Sequence, residues 1–333
     1  MSRLLIINTG GTIGMAKSDC GYVPNAEKFH DNLNKMPEMH TGEIGDWKII
    51  DMDPLLDSSN MMVDDWNKIA ALIDRNYYDF DGFVILHGTD TMAYTASALS
   101  FMLENLDKPV IITGSQIPLC ELRSDGKDNI IAALMIAAAG VVREVCIYFR
   151  GQLLRGNRAI KYSSDGFMAF TSPNFPPLAD AGIELSYNES VLRPRPTESF
   201  HFQRLENIPI GVIKVFPGIQ FDLFSNIMTE SLKGVVIETF GSGNIPSSAA
   251  TLLPIIERAF KNGTVVTVCT QCPQGTVLLG TYETSNALKQ AGAVSGRDMT
   301  TEAAVAKLYY LFSKGYDSKT ICRLMETNLR GEE

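Results

Sequence analysis

The chain has few of the residues that mark disulfide-bonded, metal-binding or membrane-spanning proteins. It contains six cysteines and four histidines in 333 residues. Disulfide frameworks are typical of small secreted domains, so we do not expect one in a chain of this length. The histidines show neither H-x-H nor H-E-x-x-H spacing, so we expect no metal and no other cofactor. The longest uninterrupted apolar run, residues 130–142, is shorter than the roughly 18 residues that span a bilayer, and it predicts a buried helix.

The chain also has few charged residues and no excess of basic ones. Charged residues make up 20% of the chain, and 29 basic against 38 acidic residues give a net charge of -9, which argues against a general nucleic-acid binder. The apolar stretch at residues 3–7 is too short for the core of a signal peptide and leads into a glycine turn. We therefore expect a cytoplasmic protein that binds a small molecule, with neither nucleic acid nor membrane as a partner.

Short β-branched runs alternate with helical patterns through the first half of the chain. The patterns predict strands at residues 4–8, 83–87, 110–113 and 145–149, and helices at 64–78, 92–106 and 128–139. Such alternation is typical of parallel strands joined by crossover helices. The sequence therefore predicts an α/β fold whose larger N-terminal domain holds a doubly wound, mostly parallel sheet of flavodoxin or Rossmann type.

A charged, proline-punctuated stretch at residues 191–209 predicts a linker, because proline suits neither helix interiors nor central strands. The predicted domains are then residues 1–190 and a smaller C-terminal α/β domain at 210–333, in line with roughly 150 residues per domain. In the second domain we expect strands at 211–216, 235–238 and 265–269, and helices at 247–262 and 301–314.

Three predicted strands end in turns rich in glycine and threonine: NTGGT at 8–12, HGTDT at 87–91 and TGSQ at 113–116. Because the C-terminal ends of parallel strands form the ligand crevice of an open α/β sheet, these turns should converge. Glycine permits close backbone approach, and the threonine hydroxyl can donate, accept or attack. Any one of these sequences, taken alone, is also compatible with an ordinary turn that has no functional role. Neither a G-x-G-x-x-G motif nor a P-loop occurs.

A threonine nucleophile needs a base, such as a desolvated lysine oriented by a carboxylate. Asp90 lies next to Thr89 and supplies a carboxylate, and Lys161 is a candidate lysine. From the sequence alone, a solvent-exposed Lys161 is the better interpretation than a desolvated base next to Thr89. We interpret His87 as a satisfied strand-end histidine rather than a base.

The motifs TGGTIG at 9–14 and HGTDTM at 87–92 resemble the two signatures of the bacterial-type L-asparaginases, and the match extends over nearly the whole chain. Residues 82–125, with AYTASAL at 93–99 and SQIP at 115–118, most resemble the type I, cytoplasmic branch. The resemblance implies hydrolysis of L-asparagine to L-aspartate and ammonia, with a weak side activity on glutamine. It also implies a homotetramer, a dimer of dimers, in which a neighbour's C-terminal domain helps to close each active site.

The same resemblance implies roles for individual residues. Thr12 matches the nucleophile that forms an acyl-enzyme ester, and Tyr22 matches a tyrosine on a mobile loop that hydrogen-bonds this hydroxyl. Thr89, Asp90 and Lys161 match the second threonine with its Asp-Lys support. Either threonine could attack first, and we favour Thr12. The substrate-binding residues implied are Asp57, Ser58, Ser59, Thr89, Asp90, Ser115 and Gln116, with Asn244 contributing across a subunit interface.

Some type I enzymes carry a second, regulatory asparagine site in the smaller domain. The resemblance places it near Thr270, Gln271, Cys272 and Thr301, together with an arginine on a preceding strand. The arginine position is Glu238 in this chain. Because an acidic side chain cannot pair with an effector carboxylate, this difference argues against allosteric control.

Two other classes of function remain open. The first is the asparaginase-like subunit of a tRNA-dependent amidotransferase, which works with a partner protein and carries an extra N-terminal domain, whereas the first motif here begins at Thr9. The second is an amino-acid-binding protein without turnover. The intact set of Thr12, Thr89, Asp90 and Lys161 argues against that class.

Overall fold

The computed structural model describes residues 1–19, 21–224, 231–246, 252–281 and 283–333. The chain divides into two compact units, Met1–Gln203 and Arg204–Glu333. In the first unit the α-helices are α1 (Ala26–Asn34), α2 (Val63–Asn76), α3 (Met92–Met102) and α4 (Gly126–Ala139). In the second unit they are α5 (Leu252–Lys261), α6 (Glu283–Gln290), α7 (Thr301–Ser313) and α8 (Ser318–Met325).

The strands of the first unit are β1 (Arg3–Gly10), β2 (Met15–Ser18), β3 (Gly21–Pro24), β4 (Asp46–Leu56), β5 (Gly82–Leu86), β6 (Leu103–Glu104), β7 (Val110–Thr113), β8 (Val145–Phe149), β9 (Gln152–Arg155), β10 (Ile160–Lys161), β11 (Phe170–Thr171), β12 (Ala179–Ala181), β13 (Leu185–Tyr187) and β14 (His201–Phe202). Those of the second unit are β15 (Ile210–Lys214), β16 (Gly234–Thr239), β17 (Val265–Thr270) and β18 (Val294–Ser295).

The main sheet of the first unit has the order β13-β12-β9-β8-β7-β5-β1-β4. Strands β4, β1, β5, β7 and β8 run parallel, and β9, β12 and β13 add an antiparallel edge. Residues of β5, β7 and β8 are buried throughout, as is typical of parallel strands covered on both faces. The predicted fold class, a larger mostly parallel sheet followed by a smaller α/β domain, is confirmed.

Several elements of the first unit, among them α1 and the paired strands β2 and β3, were not predicted, and one predicted helix is shorter than expected. The helix predicted at 92–106 ends at Met102, because Leu103 and Glu104 pair with His201 and Phe202 in a two-stranded ladder. Strand β4 was not predicted. It lies at the edge of the main sheet, and most of its residues are partly or fully exposed, so charged residues interrupt the apolar pattern of a strand.

The second unit contains a parallel sheet of order β15-β16-β17-β18. Its strands match the three predicted ones within two residues at each end, and β18 is additional. The helix predicted at 247–262 is observed as α5, while residues 247–251 lie outside the described part of the chain. Among the residues that the structure describes, no helix is long and apolar enough to cross a bilayer.

Candidate active site

The floor of the site is formed by backbone packed directly on backbone. Gly10 ends β1 and Gly11 follows it, with φ angles of 111° and 80°, values that residues with a side chain rarely adopt. A Cβ on Gly11 would lie 2.4 Å from the nitrogen of Gly88, and a Cβ on Gly88 would lie 2.5 Å from Ser58 Oγ. The turns after β1 and β5, two of the three that we expected to converge, therefore touch one another, and the turn after the unpredicted β4 joins them.

Hydroxyl groups fix these turns from the side. Thr9 Oγ1 donates to the carbonyl oxygen of Leu86 at 2.9 Å, which ties the end of β1 to the end of β5. Thr91 Oγ1 donates to the carbonyl oxygen of Ser58 at 2.7 Å, which ties the turn after β4 to the start of α3. These two hydrogen bonds, one buried and one partly buried, leave the turns little freedom to shift.

Thr89, Asp90 and Lys161 form one connected cluster. Lys161 Nζ donates to Thr89 Oγ1 at 3.0 Å and to Asp90 Oδ1 at 2.5 Å. Thr89 is buried, and the Lys161 side chain is only 19% exposed, so the earlier preference for a solvated lysine is wrong. Thr89 in turn donates to Gln116 Oε1 at 3.3 Å. A lysine 72 residues away along the chain therefore contacts the threonine hydroxyl directly.

Thr12 begins a short 3-10 turn, Thr12–Gly14, immediately after the glycine pair. It is partly buried and adjoins Gly11, the residue in closest contact with Gly88. Within the described ranges its hydroxyl has no protein hydrogen-bond partner. A threonine hydroxyl that is placed at the crevice and left without a protein partner is free to meet a ligand.

Tyr22 lies on a hairpin beside the site. Strands β2 and β3 pair from Met15 with Pro24 to Ser18 with Gly21, and Cys20 lies outside the described residues. The Tyr22 hydroxyl donates to Glu121 Oε1 at 2.7 Å, and this bond, followed by burial, raises the pKa of the phenol. The expected bond from Tyr22 to Thr12 is therefore absent in this conformation, because Glu121 holds the hydroxyl.

The turn after β4 presents Asp57, Ser58 and Ser59. Asp57 Oδ1 accepts from the Ser59 backbone N–H at 2.9 Å and from Ser59 Oγ at 3.0 Å. Asp57 is exposed, whereas Ser58 is buried against the Gly88 turn. One oxygen of the Asp57 carboxylate is thus used to shape the turn, and the charge is available to a cationic group of a ligand.

The loop after β7 carries Ser115 and Gln116. Ser115 Oγ donates to the carbonyl oxygen of Ile117 at 2.6 Å, so it serves the loop itself. The backbone N–H groups of Gln116 and Ile117 donate to Asp125, which is buried. Gln116 Nε2 donates to the carbonyl oxygens of Ser164 and Gly166. Sequence reasoning missed Glu121 and Asp125, because both act through contacts that spacing does not reveal.

His87 is fully buried behind the Gly88 turn. Its Nδ1 lies 2.7 Å from the carbonyl oxygen of Gly88, and its Nε2 lies 2.9 Å from Thr95 Oγ1, which accepts a bond from Trp66 Nε1. A carbonyl oxygen can only accept, so Nδ1 carries the proton and Thr95 donates to Nε2. Burial lowers the pKa of His87 to about 4, which agrees with a satisfied structural histidine.

In the second unit, the residues of the implied regulatory site come together at the ends of β15, β16 and β17. Thr301 Oγ1 donates to Glu238 Oε1 at 2.7 Å, and Lys214 Nζ lies 3.8 Å from Glu238 Oε2. Gln271 Nε2 donates to the backbone carbonyl of Glu238 at 2.8 Å. Cys272 N–H donates to Thr270 Oγ1 at 3.0 Å. The Glu238 carboxylate is therefore already engaged by protein groups.

The remaining candidates carry less chemistry. Asn244 forms a tight turn with Phe240 just after β16, through backbone bonds of 2.8 and 2.9 Å. Burial raises the pKa of the Cys269 thiol to about 12, which is the opposite of the lowered pKa of a reactive thiol. Within the described ranges, no group of three or more His, Cys, Asp or Glu side chains could hold a metal ion.

Comparison with known proteins gives one family for both halves of the chain. A family model described as "Asparaginase, N-terminal" matches residues 3–193, and one described as "Glutaminase/Asparaginase C-terminal domain" matches residues 209–325. L-asparaginase 1 of Escherichia coli is 48% identical over 329 residues, which cover 99% of this chain and 97% of that protein.

Two further relatives are similar over nearly the whole chain. The crystal structure of L-asparaginase I from Vibrio cholerae has a TM-score of 0.92 and 45% identity, and the match covers 99% of this chain and 98% of that one. A 60 kDa lysophospholipase of Mus musculus is 41% identical over 352 residues, which cover 99% of this chain and 62% of that protein.

Proposed function

The chain belongs to the asparaginase family, a family of hydrolases acting on amides, and we propose that it converts L-asparagine and water to L-aspartate and ammonia through a threonine ester. The observation that carries the proposal is the bridge of Lys161 Nζ between Thr89 Oγ1 and Asp90 Oδ1. Thr89 follows Gly88 in the chain and Thr12 follows Gly11, and these two glycines are in direct contact.

The substrate is a zwitterion, so its site needs one anionic group and several neutral donors. Asp57 and Asp90 are exposed carboxylates on two of the converging turns and would hold the α-ammonium. Ser58, Ser59 and the backbone N–H groups of the turns would hold the α-carboxylate. This leaves the side-chain amide of asparagine directed at the threonines.

Acylation begins with attack of Thr12 Oγ1 on the amide carbon. Thr12 is the better nucleophile candidate because Thr89 Oγ1 already accepts from Lys161 and donates to Gln116. The new C–O bond forms a tetrahedral intermediate, whose oxyanion is stabilised by backbone N–H groups of the turns. The C–N bond then breaks, and the proton of Thr12 reaches the nitrogen through Tyr22 or through Thr89, so that ammonia leaves.

Deacylation consumes one water molecule. Water attacks the ester carbon, the C–O bond to Thr12 breaks, and aspartate leaves with the proton returned to Thr12. Thr89 with Lys161 and Asp90 is placed to guide the proton in this step. Tyr22 would have to exchange Glu121 for the Thr12 hydroxyl, which makes the hairpin β2–β3 a lid.

Activity on glutamine should be weak. Glutamine is longer by one methylene, a change that is typically worth about 1–3 kcal/mol in a pocket. We also propose that the protein acts as a homotetramer in the cytoplasm, with Asn244 of one protomer near the site of another. Light scattering after gel filtration measures the oligomer, and Asn244→Ala should reduce turnover in the tetramer.

The proposed function is tested by ammonia release from both amides, with Thr12→Ala and Thr12→Ser compared with the wild type. Thr12→Ala should abolish turnover, and Thr12→Ser should retain part of it because a hydroxyl remains. After rapid acid quenching, mass spectrometry should find an aspartyl group on the peptide that contains Thr12. An adduct on the peptide of Thr89 would contradict the assignment of the nucleophile. A folded protein that releases no ammonia would instead indicate a partner-dependent or binding-only protein.

A further inference from the structure

A chain of three polar side chains runs behind the Thr12 turn and takes no part in the proposed reaction. Asn8 Nδ2 donates to Asp51 Oδ1 at 2.6 Å, and Asn8 Oδ1 accepts from the Gly10 backbone N–H at 3.1 Å. His30 Nε2 lies 3.0 Å from Asp51 Oδ2 and 3.1 Å from Oδ1. Asn8 is fully buried, whereas the side chains of His30 and Asp51 are 33% and 28% exposed.

The chemistry of the three groups fixes how they face one another. A carboxylate can only accept, so the NH₂ group of Asn8 must point to Asp51 and its oxygen to Gly10. For the same reason His30 donates through Nε2, whether its ring is neutral or charged. The amide of Asn8 therefore uses its donor and its acceptor at once, and it cannot rotate without losing both partners.

The Gly10 N–H needs this partner because the sheet ladder breaks at that residue. Strands β1 and β4 pair in steady register from Arg3 with Asp46 to Asn8 with Asp51, and the register then jumps to Gly10 with Leu56. At such a shift a backbone N–H loses its ladder partner, and a buried N–H is almost always satisfied in some other way. The Asn8 side chain supplies the missing acceptor.

We propose that Asn8, held in place by Asp51 and His30, is a positioning residue for Thr12. It fixes the start of the glycine pair from which Thr12 projects, while Gly11 N–H is fixed by the carbonyl oxygen of Leu56 at 3.0 Å. The inference rests on the proposed function, in which Thr12 attacks the amide. It extends the site to α1, the helix that follows the lid hairpin, through His30.

The first test is Asn8→Ala, measured by steady-state kinetics with asparagine. A misplaced nucleophile should lower kcat by about 10- to 100-fold. KM should change by less than about threefold, because the groups proposed to bind the substrate backbone lie on other turns. Glu144→Gln is the matched control. It weakens a buried ion pair with Arg155 at the start of β8, away from Thr12, and should leave kcat unchanged.

Hydrogen exchange of the peptide that contains Gly10 gives a readout that is independent of turnover. Exchange at Gly10 should speed up in Asn8→Ala and stay at the wild-type rate in Glu144→Gln. If Asn8→Ala does not fold, Asp51→Ala breaks the same chain at a partly exposed position and should lower kcat in the same way, though less. His30→Gln keeps an N–H donor and should retain more activity than His30→Ala.

A further variant, Asn8→Asp, distinguishes positioning from packing. The new carboxyl group can still accept from Gly10, but it faces Asp51 and can be held there only if the two share a proton. The facing titratable groups are Asp51 on β4 and His30 on α1. The kcat of this variant relative to wild type should therefore recover as the pH is lowered, whereas Asn8→Ala should show no recovery.

The outcomes separate the inference from the proposed function. Wild-type kcat in Asn8→Ala, together with loss of turnover in Thr12→Ala, would overturn the positioning role and leave the proposed function intact. Full turnover in Thr12→Ala would instead refute the proposed function. In that event, faster exchange at Gly10 in Asn8→Ala would still support the structural link, and unchanged exchange would refute it.

Discussion

The buried histidine behind the Gly88 turn should make the fold sensitive to acid. His87 has no exposed surface, donates to the Gly88 carbonyl and accepts from Thr95. Protonation would put a charge into an apolar interior and remove the acceptor that Thr95 uses. The folded protein therefore resists a proton that the unfolded chain binds readily.

The size of the effect follows from the two pKa values. His87 titrates at about 4 in the folded protein, against an ordinary value of 6.5. Because the unfolded state binds more protons in this range, stability falls as the pH falls. The contribution of His87 to the free energy of unfolding is fully present above pH 6.5 and is lost as the pH falls through the folded pKa of about 4. At about 1.4 kcal/mol per pH unit, the total loss is on the order of 3 kcal/mol.

The assay compares urea unfolding of the wild type and His87→Asn at pH 7 and pH 4.5. The variant keeps a donor for Gly88 but cannot titrate. The difference in unfolding free energy between the two proteins should shrink by about 2 kcal/mol over this interval. His201→Asn, which replaces an exposed histidine, is the control for removing an imidazole. Parallel pH dependence of wild type and His87→Asn would refute the reasoning.

Three further results are expected. Gly11→Ala should lower kcat/KM at least about 100-fold. The new Cβ would lie 2.4 Å from the backbone nitrogen of Gly88, at a φ of 80° that alanine rarely adopts. Near-normal kinetics would show that the two turns can separate. Glu121→Ala should lower the KM for asparagine by about two- to fivefold by freeing Tyr22, with a smaller change in Glu121→Gln; an unchanged KM in Glu121→Ala would contradict the lid exchange. Saturation with asparagine should be hyperbolic, because Glu238 bonds Thr301 where a carboxylate-binding arginine is implied; a sigmoidal curve would contradict this.

The strands that form the core were predictable because their pattern is local. Val110–Thr113 and Val145–Phe149 are observed at the predicted bounds, since continuous burial produces unbroken apolar runs. Strand β4 was not predicted because charged residues interrupt its apolar sequence, as is common in edge strands. The end of α3 escaped it for another reason, since its last predicted turn is taken up by pairing with a segment about 100 residues away.

The convergence of the threonine turns also followed from topology, but the side-chain partners did not. Lys161 reaches Thr89 across 72 residues, and Tyr22 reaches Glu121 across 99. Neither separation has a periodicity that a helix or strand would impose. The resemblance to a family supplied Lys161, whereas Glu121 and Asp125 emerged only from the folded chain.

The contact of glycine with glycine at the site floor bears on how this protein can evolve. A wall of side chains can be reshaped one substitution at a time, but a floor of backbone atoms in contact offers no side chain to exchange. New substrates would have to be accommodated by changes at the rim, in the hairpin that carries Tyr22 or in the loop that carries Gln116. Variation among relatives with different substrates should therefore concentrate in those two loops, with the glycine turns unchanged beneath them.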